Sequence, residues 1–478
     1  MNRLIFAVIA CGLLPAGACA TTPEPSPRPN ILFIAVDDLR PMGEAFDDTR
    51  AHTPNIDALA AGSAVFKRAY VQYPVCGPSR ASMLTGLRPE SSGVLDLKTR
   101  LRDIHPDIVT LPQFFRNNGY ATAAVGKIFD PRSVDSRQDD DPASWSVPFK
   151  NVSGTVDRNA GPRYAAVAIE ARNEDFIDGQ IGARGRKLLR EMAAADEPFF
   201  LGVGYKKPHL PFTVPKAFFD LYDRQALELE PFQTAPEGSD PKYVLSGNGE
   251  LKSYIPQPAA PQEPDAYGDA LTAAQQRELL HGYFAAVSFI DHLVGELLEE
   301  LEATGEADNT IVVFWGDHGF QLGDHGVWGK HTTMEKSAWH PMMLRVPGQE
   351  GRLITTVVEA LDIYPTLLEL ASFDMAAGLQ GESLVALMQG EDRDGSAVTM
   401  YRRLGAFGYS LRTDRYRYTE WVKPDGSVAY RDLYDMRLDP GERRNIAADT
   451  DMAEVVKTLA AALRARGPGL HRLNQEKE

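Results

Sequence analysis

Cysteine is scarce. The 478 residues include three, Cys11, Cys19 and Cys76. The first two fall in an apolar N-terminal segment, so Cys76 has no disulfide partner in the rest of the chain. Long apolar runs are also lacking. Past the N-terminus no run of about 18 apolar residues occurs, which excludes a polytopic membrane protein. Positive charge is in deficit: 50 Lys and Arg against 66 Asp and Glu leave a net charge of −16. Such a chain repels nucleic-acid phosphates, so no nucleic-acid partner is expected. Anionic small substrates stay open, because a local basic pocket can sit on an acidic protein. At 43% hydrophobic and 24% charged residues, the composition is globular. It is not that of a disordered, collagenous or coiled-coil chain. The length has room for two or three domains, or one large domain with an appendage.

The N-terminus reads as an export segment over residues 1–20. Arg3 precedes the apolar run Leu4–Leu14, and Pro15-Ala16-Gly17-Ala18 stands before Cys19. A charged start, an apolar middle and small residues at the end are what export requires. Two processings compete. Cleavage before Cys19 with lipidation makes a lipoprotein anchored there, although Ala16 stands where Leu is usual. Cleavage after Ala20 makes a soluble protein. Either way the chain is expected outside the cytoplasm of a bacterium, in the periplasm or on the cell surface. The Pro-rich residues 21–29 then read as a spacer.

Short apolar runs recur at Ile31–Val36, Ala121–Val125, Phe199–Val203 and Thr310–Trp315. Each fits a strand buried on both faces. Helical patterns alternate with them, the longest being Thr272–Leu301, with an apolar stripe from Leu279 to Leu301. The alternation predicts an α/β fold: a large mixed, mostly parallel sheet flanked by helices over residues 30–390. Residues 221–270 lack periodicity and read as a long surface insertion. After about residue 390 the pattern changes. Tyr409–Trp421 and Val428–Tyr434 read as antiparallel strands and Met452–Ala465 as a helix. Residues 391–478 are therefore expected to form a small α+β subdomain.

The strand ends carry the polar residues of interest. Ile31–Val36 ends in Asp37-Asp38, and Ala121–Val125 in Gly126-Lys127. Phe199–Val203 leads to Lys207-Pro208-His209, and Thr310–Trp315 to Gly316-Asp317-His318. Ligands of open α/β sheets bind at the carboxyl ends of strands, so these groups should meet. Asp37-Asp38 or Asp317-His318 alone also reads as a cap or turn. Together, three carboxylates repel one another unless a cation lies between them, and their hard oxygens suit Ca²⁺ or Mg²⁺. Cys76, in the constrained turn Pro74-Val75-Cys76-Gly77-Pro78-Ser79-Arg80, does not suit that cation. A thiolate is a soft ligand. The mismatch vanishes if oxygen replaces the sulfur.

Cys76-Gly77-Pro78-Ser79-Arg80 resembles the Cys-x-Pro-x-Arg signature of type I sulfatases, and Ala81–Gly86 resembles the helix that follows it. Within that family the chain is similar to iduronate 2-sulfatases. The similarity is carried by Val36–Pro41, Val125–Phe129, Lys207–Phe212, Gly316–Gly319, Leu322–Gly326, Trp328–Lys330, Tyr409–Thr413 and Tyr416–Thr419. It implies an alkaline phosphatase-like fold and conversion of Cys76 to Cα-formylglycine by a dedicated generating enzyme. It also implies one Ca²⁺ held by Asp37, Asp38, residue 76, Asp317 and His318. By resemblance, the hydrated aldehyde attacks sulfur and is sulfated, Arg80 holds the diol, and Lys127 and Lys330 bind sulfate. His209 protonates the leaving group. The second diol hydroxyl then expels sulfate and restores the aldehyde. The implied substrate is a sulfated saccharide, with the 2-O-sulfate of an iduronate-like uronic acid the nearest case. One position departs from the family. Where iduronate 2-sulfatases have a histidine after Gly126–Phe129, this chain has Asp130. Asp130 is then the base for sulfate release, or another histidine such as His105 takes that role. His325 and His331 read as supporting residues.

Two other functions remain open at this point. A phosphoester or phosphonate monoester hydrolase shares the fold, metal and nucleophile position. A non-catalytic binder of sulfated glycans would keep the pocket but lose the nucleophile or the metal.

Overall fold

The computed structural model describes residues 28–134, 140–156, 163–254 and 271–466. The expected export segment, Cys19, most of the spacer and residues 255–270 of the expected insertion lie outside them.

Strand β1 (Asn30–Asp37) is buried along its whole length. Successive side chains point to opposite faces of a strand, and here both faces are covered. Leu32, Ile34 and Val36 pack with α2 (Ile177–Ala193) and α3 (Ala273–Thr304). Ile31, Phe33 and Ala35 pack with α1 (Cys76–Thr85) and other helices on the opposite face. The result is a three-layer α/β domain.

The other sheet strands are β2 (Ala64–Tyr70), β3 (Ala121–Gly126), β4 (Phe199–Pro208), β5 (Thr310–Gly316), β6 (Trp339–His340), β7 (Met342–Arg345) and β8 (Arg352–Glu359). Their order is β6-β2-β7-β5-β1-β4-β3, and β8 pairs with β2. β1 runs parallel to β4 and β5, and β3 parallel to β4. β7 is antiparallel to β5 and β2. The sheet is therefore mixed and mostly parallel. The carboxyl ends of β1, β3, β4 and β5 lie along one edge, with Val36 opposite Gly316 and Gly126 opposite Gly204. A glycine is needed where β3 leaves the sheet. Gly126 has φ +77°, and a Cβ there would lie 2.1 Å from the carbonyl oxygen of Gly204.

α3 starts at a capping box, with Thr272 and Gln275 each bonding the other's backbone N–H. It ends at Gly305, in the left-handed region.

Residues 397–435 form a separate antiparallel sheet: β9 (Ala397–Arg403), β10 (Ala406–Arg412), β11 (Tyr416–Val422) and β12 (Val428–Asp435). The run expected as strand over 409–421 is a hairpin instead. Its turn closes where Thr413 N donates to Tyr416 O, 2.8 Å. α4 (Ala453–Arg466) covers this sheet through Leu459, Ala460 and Leu463. The same core takes in Tyr73 and Val75, and Met400 N donates to Gln72 O, 2.8 Å. The C-terminal sheet thus braces the chain that leads into Cys76.

Candidate active site

Asp37 is the last residue of β1. Asp38 follows at φ +60°, a left-handed conformation that is uncommon and costly for a residue other than glycine. Two bonds hold it there. The Tyr283 hydroxyl of α3 donates to Asp38 O, 2.8 Å, and Asp38 N donates to Asp317 Oδ1, 3.0 Å. Asp317 and His318 follow β5, so one register brings both carboxyl ends together.

Cys76 opens α1, whose positive end favours anions nearby. It is buried and forms no disulfide. Its Sγ lies 3.3 Å from His318 Nε2 and 3.9 Å from Asp38 Oδ1. Ligand atoms of Asp37, Asp38, Cys76 and His209 lie within 4.8 Å of one another, as do those of Cys76, Asp317 and His318. His318 Nδ1 lies 2.9 Å from Gly319 O, so it carries the proton, and Nε2 faces the cluster. That Nε2 is 3.4 Å from Asp38 Oδ1. Two acceptors facing each other amid buried carboxylates suit a hard cation, so the donor set fits one.

Three cations balance the carboxylates. Arg80, wholly buried, donates from Nε to Asp317 Oδ2, 2.9 Å, and from a terminal nitrogen to Asp37 Oδ1, 3.3 Å. Its other terminal nitrogen donates to the carbonyls of Lys127 and Ile128. Lys127 Nζ bonds both Asp37 oxygens, at 2.9 and 2.7 Å. Lys330 Nζ bonds both Asp38 oxygens at 2.7 Å. Burial works against the charge on Asp37, but Lys127, His209 and Arg80 outweigh it and hold its pKa well below the usual carboxylate value. Burial and the neighbouring Asp37 push the Cys76 thiol well up, so the unmodified side chain is a protonated thiol. His209 has its pKa raised. Burial opposes its charge, but Asp38 and the hydrogen bond it donates to Glu250 prevail.

Asp130 lies beside this cluster, 3.4 Å from Lys127 Nζ. Arg132 grips both its oxygens at 2.8 Å. Burial raises the pKa of Asp130, but Arg132 and Lys127 bring it far below the usual value. A carboxylate so held accepts a proton poorly. This geometry counts against Asp130 as the release base and makes it an anchor for Arg132. His105 Nε2 is 3.0 Å from Ser91 O. His325 bonds the Thr234 carbonyl through Nδ1, 3.2 Å, and His331 lies beside Tyr401. Asp130→Asn is expected to lower steady-state turnover by less than about tenfold, with no sulfated residue 76 accumulating. Accumulation in peptide mass spectra would make Asp130 the base after all.

Two residues at the site were not expected. Arg132 is legible in hindsight as the basic residue two places after Asp130. Glu250 is not. It lies in residues 221–270, read as surface insertion, yet its carboxylate contacts His209 and Lys330. Nearby Val244, Leu245 and Leu251 are buried, so this part of the insertion is packed against the domain.

A buried cysteine at a helix N-terminus, three clustered carboxylates and two lysines meet at the carboxyl ends of the strands, a polar site suited to an anionic ligand in an α/β domain. The Sulfatase family matches residues 29–373, and the N-sulphoglucosamine sulphohydrolase C-terminal family matches residues 323–467. The chain is 31% identical to iduronate 2-sulfatase of Mus musculus, over 90% of this chain and 93% of the mouse protein. It is 32% identical to a sulfatase of Formosa agariphila, over 91% and 86%. Among solved structures, one in complex with its substrate D-glucosamine-2-N,6-O-disulfate superposes at a TM-score of 0.74. That match covers 94% of this chain and all of the other at 22% identity, and shows the shared fold. The chain belongs to the sulfatase family and is a sulfuric ester hydrolase.

Proposed function

We propose that the enzyme hydrolyses a sulfate ester on a sulfated saccharide, the 2-O-sulfate of an iduronate-like uronic acid, in an exo-acting manner. Residue 76 acts as formylglycine. The observation that carries this reading is Cys76 itself, a buried thiol placed among three carboxylates and His318. Sulfur there is a poor ligand and a poor nucleophile, whereas diol oxygens fit both tasks. The similarity to proteins named iduronate 2-sulfatase supports the choice of sugar.

Asp37, Asp38, Asp317, His318 and residue 76 would hold Ca²⁺. When bound, it would supply Lewis acidity to a sulfate oxygen and to the residue-76 hydroxyl. The chain's own residues do the rest. Arg80 keeps Asp37 and Asp317 in place and faces residue 76 from the second turn of α1. Lys127 and Lys330 offer positive charge to the transferring sulfate, where preorganised charge is most effective. His209 gives its Nε2 proton to the sugar oxygen as the ester bond breaks. Maturation requires a formylglycine-generating enzyme. The N-terminal segment supports export, to the periplasm or to the cell surface as a lipoprotein anchored at Cys19.

A panel of sulfated disaccharides tests the reading. Turnover is expected on 2-O-sulfated uronate, lost on chelation and restored by Ca²⁺. Preference for phosphate or phosphonate esters, or full activity with stoichiometric Zn²⁺, would overturn it.

A further inference from the structure

We propose that Arg132 is a specificity-determining residue: its guanidinium, clamped by Asp130 beside Lys127, takes a second anionic group of the substrate, a carboxylate or a further sulfate. This rests on the saccharide reading above. Lys127, Lys330 and Arg80 are buried and bonded to Asp37, Asp38 and Asp317. Arg132 differs, because half of its side chain is exposed. It still belongs to the site. Arg132 Nη2 lies 2.8 Å from Asp130 Oδ2, and Lys127 Nζ lies 3.4 Å from the same oxygen. The two cations therefore flank one carboxylate oxygen, and Lys127 in turn holds Asp37 at 2.7 Å. The guanidinium pKa is raised, mainly by the Asp130 hydrogen bond, with Asp37 contributing.

The clamp leaves donors over. A guanidinium has five N–H groups in a planar fork. Asp130 takes two of them, one on Nε and one on Nη2, each at 2.8 Å. Nη1 makes no hydrogen bond among the described residues, so the outer edge of the fork, Nη1 with the second hydrogen of Nη2, is open. That edge matches two oxygens of a carboxylate or a sulfate. The group is also fixed before any ligand arrives. The Asp130 side chain has no exposure, and its Oδ1 accepts from Arg132 N as well, 3.0 Å. Ser133 N donates to Asp130 O, 2.9 Å, closing the turn that carries Arg132. Such preorganisation lowers the entropic cost of binding.

The division of labour follows from burial. The ester sulfate is seated on the buried lysines, and the exposed half of Arg132 meets the part of the saccharide that lies outside them. A chain with net charge −16 repels a substrate of several negative charges, and a fixed cation at the mouth of the site offsets that locally. Loss of the Arg132 side chain should spare the sulfate site. Asp130 keeps Lys127 at 3.4 Å and the backbone N–H of residue 132 at 3.0 Å, neither of which depends on the guanidinium.

The test is run on the matured, calcium-loaded enzyme. In Arg132→Gln, KM on a 2-O-sulfated uronate disaccharide carrying a further sulfate is expected to rise about tenfold, with kcat changed by less than about threefold. On 4-nitrophenyl sulfate, which has no second anion, kcat/KM should also change by less than about threefold. The KM effect vanishes on the carboxyl-reduced disaccharide if the carboxylate is the group bound, and on the disaccharide lacking the further sulfate if that sulfate is. Arg132→Lys should recover part of the loss, since it returns the charge without the fork. A loss as large on 4-nitrophenyl sulfate, a loss in kcat alone or no loss on any substrate would overturn the proposal. Should the wild-type enzyme turn over no saccharide, the function proposed above fails on its own. Calorimetry then decides the role of Arg132. Tighter wild-type binding of sulfoacetate than of methanesulfonate, a preference abolished in Arg132→Gln, supports it, and an equal ratio in both enzymes refutes it.

Discussion

Cys76→Ala is expected to abolish turnover, by about 10⁶-fold, as loss of a nucleophile does in other covalent hydrolases. It should leave the fold intact. The residue is buried, but its side chain touches the polar groups of His318 and Asp38 and packs in none of the apolar clusters. Removing one sulfur should therefore cost little stability, about 1 kcal/mol or less. Its helix keeps its packing through Met83 and Leu84. Turnover and the denaturant midpoint, measured together, separate the two effects. Peptide mass spectrometry of active wild-type enzyme supplies the companion result, formylglycine at position 76. Active enzyme that carries only cysteine there would refute the nucleophile assignment, because the thiol is held protonated by burial and by Asp37.

Arg80→Met should damage both stability and activity. Arg80 has no solvent exposure and spends its donors on Asp317, Asp37 and two carbonyls, with the guanidinium 5.7 Å from the Trp315 ring centre. Methionine fills much of the volume but leaves two buried carboxylates without that counter-charge. Removing one partner of a buried ion pair typically costs about 3–5 kcal/mol. The expected result is a loss of that size by denaturant titration, together with weaker calcium binding as Asp37 and Asp317 lose their orientation. Arg80→Lys should restore part of the stability, since the charge returns, but not full activity. An ammonium cannot reach two carboxylates and two carbonyls at once. Stability within about 1 kcal/mol of wild type in Arg80→Met would show that the cluster tolerates the missing charge.

The fold was legible where the chain is apolar on both faces. Ile31–Val36, Ala121–Val125, Phe199–Val203 and Thr310–Trp315 are all sheet strands. A run that must be covered on two sides has few alternatives to a central strand. β2, β7 and β8 were not singled out. Arg352–Glu359 is exposed at several positions, and Met342–Arg345 is four residues long, too short to show a period. The turn at 413–415 was missed because the flanking strands share one composition, and the reversal is set by Thr413 and Tyr416 bonding each other.

At the site the same division holds. Asp37-Asp38, Gly126-Lys127, His209 and Asp317-His318 could be placed together from sequence because each follows a strand run. Parallel strands put all such ends on one edge. Cys76 and Arg80 stood out through the signature they share with a known family. These assignments need only local order along the chain and the direction of the strands. Glu250 needs more. It sits in a segment with no periodicity, and its partners His209 and Lys330 come from distant strand ends. Its place depends on Asn248 and Ser246 bonding Trp328 and Lys330 across that distance. The reading of Asp130 likewise turned on the bidentate grip of Arg132. The sequence alone determined the class of sheet and the edge where the polar strand ends gather, because strand burial and strand polarity are written in residue order. Only the tertiary structure decided which charges pair, because an ion pair is set by distances of about 3 Å that no spacing along the chain encodes.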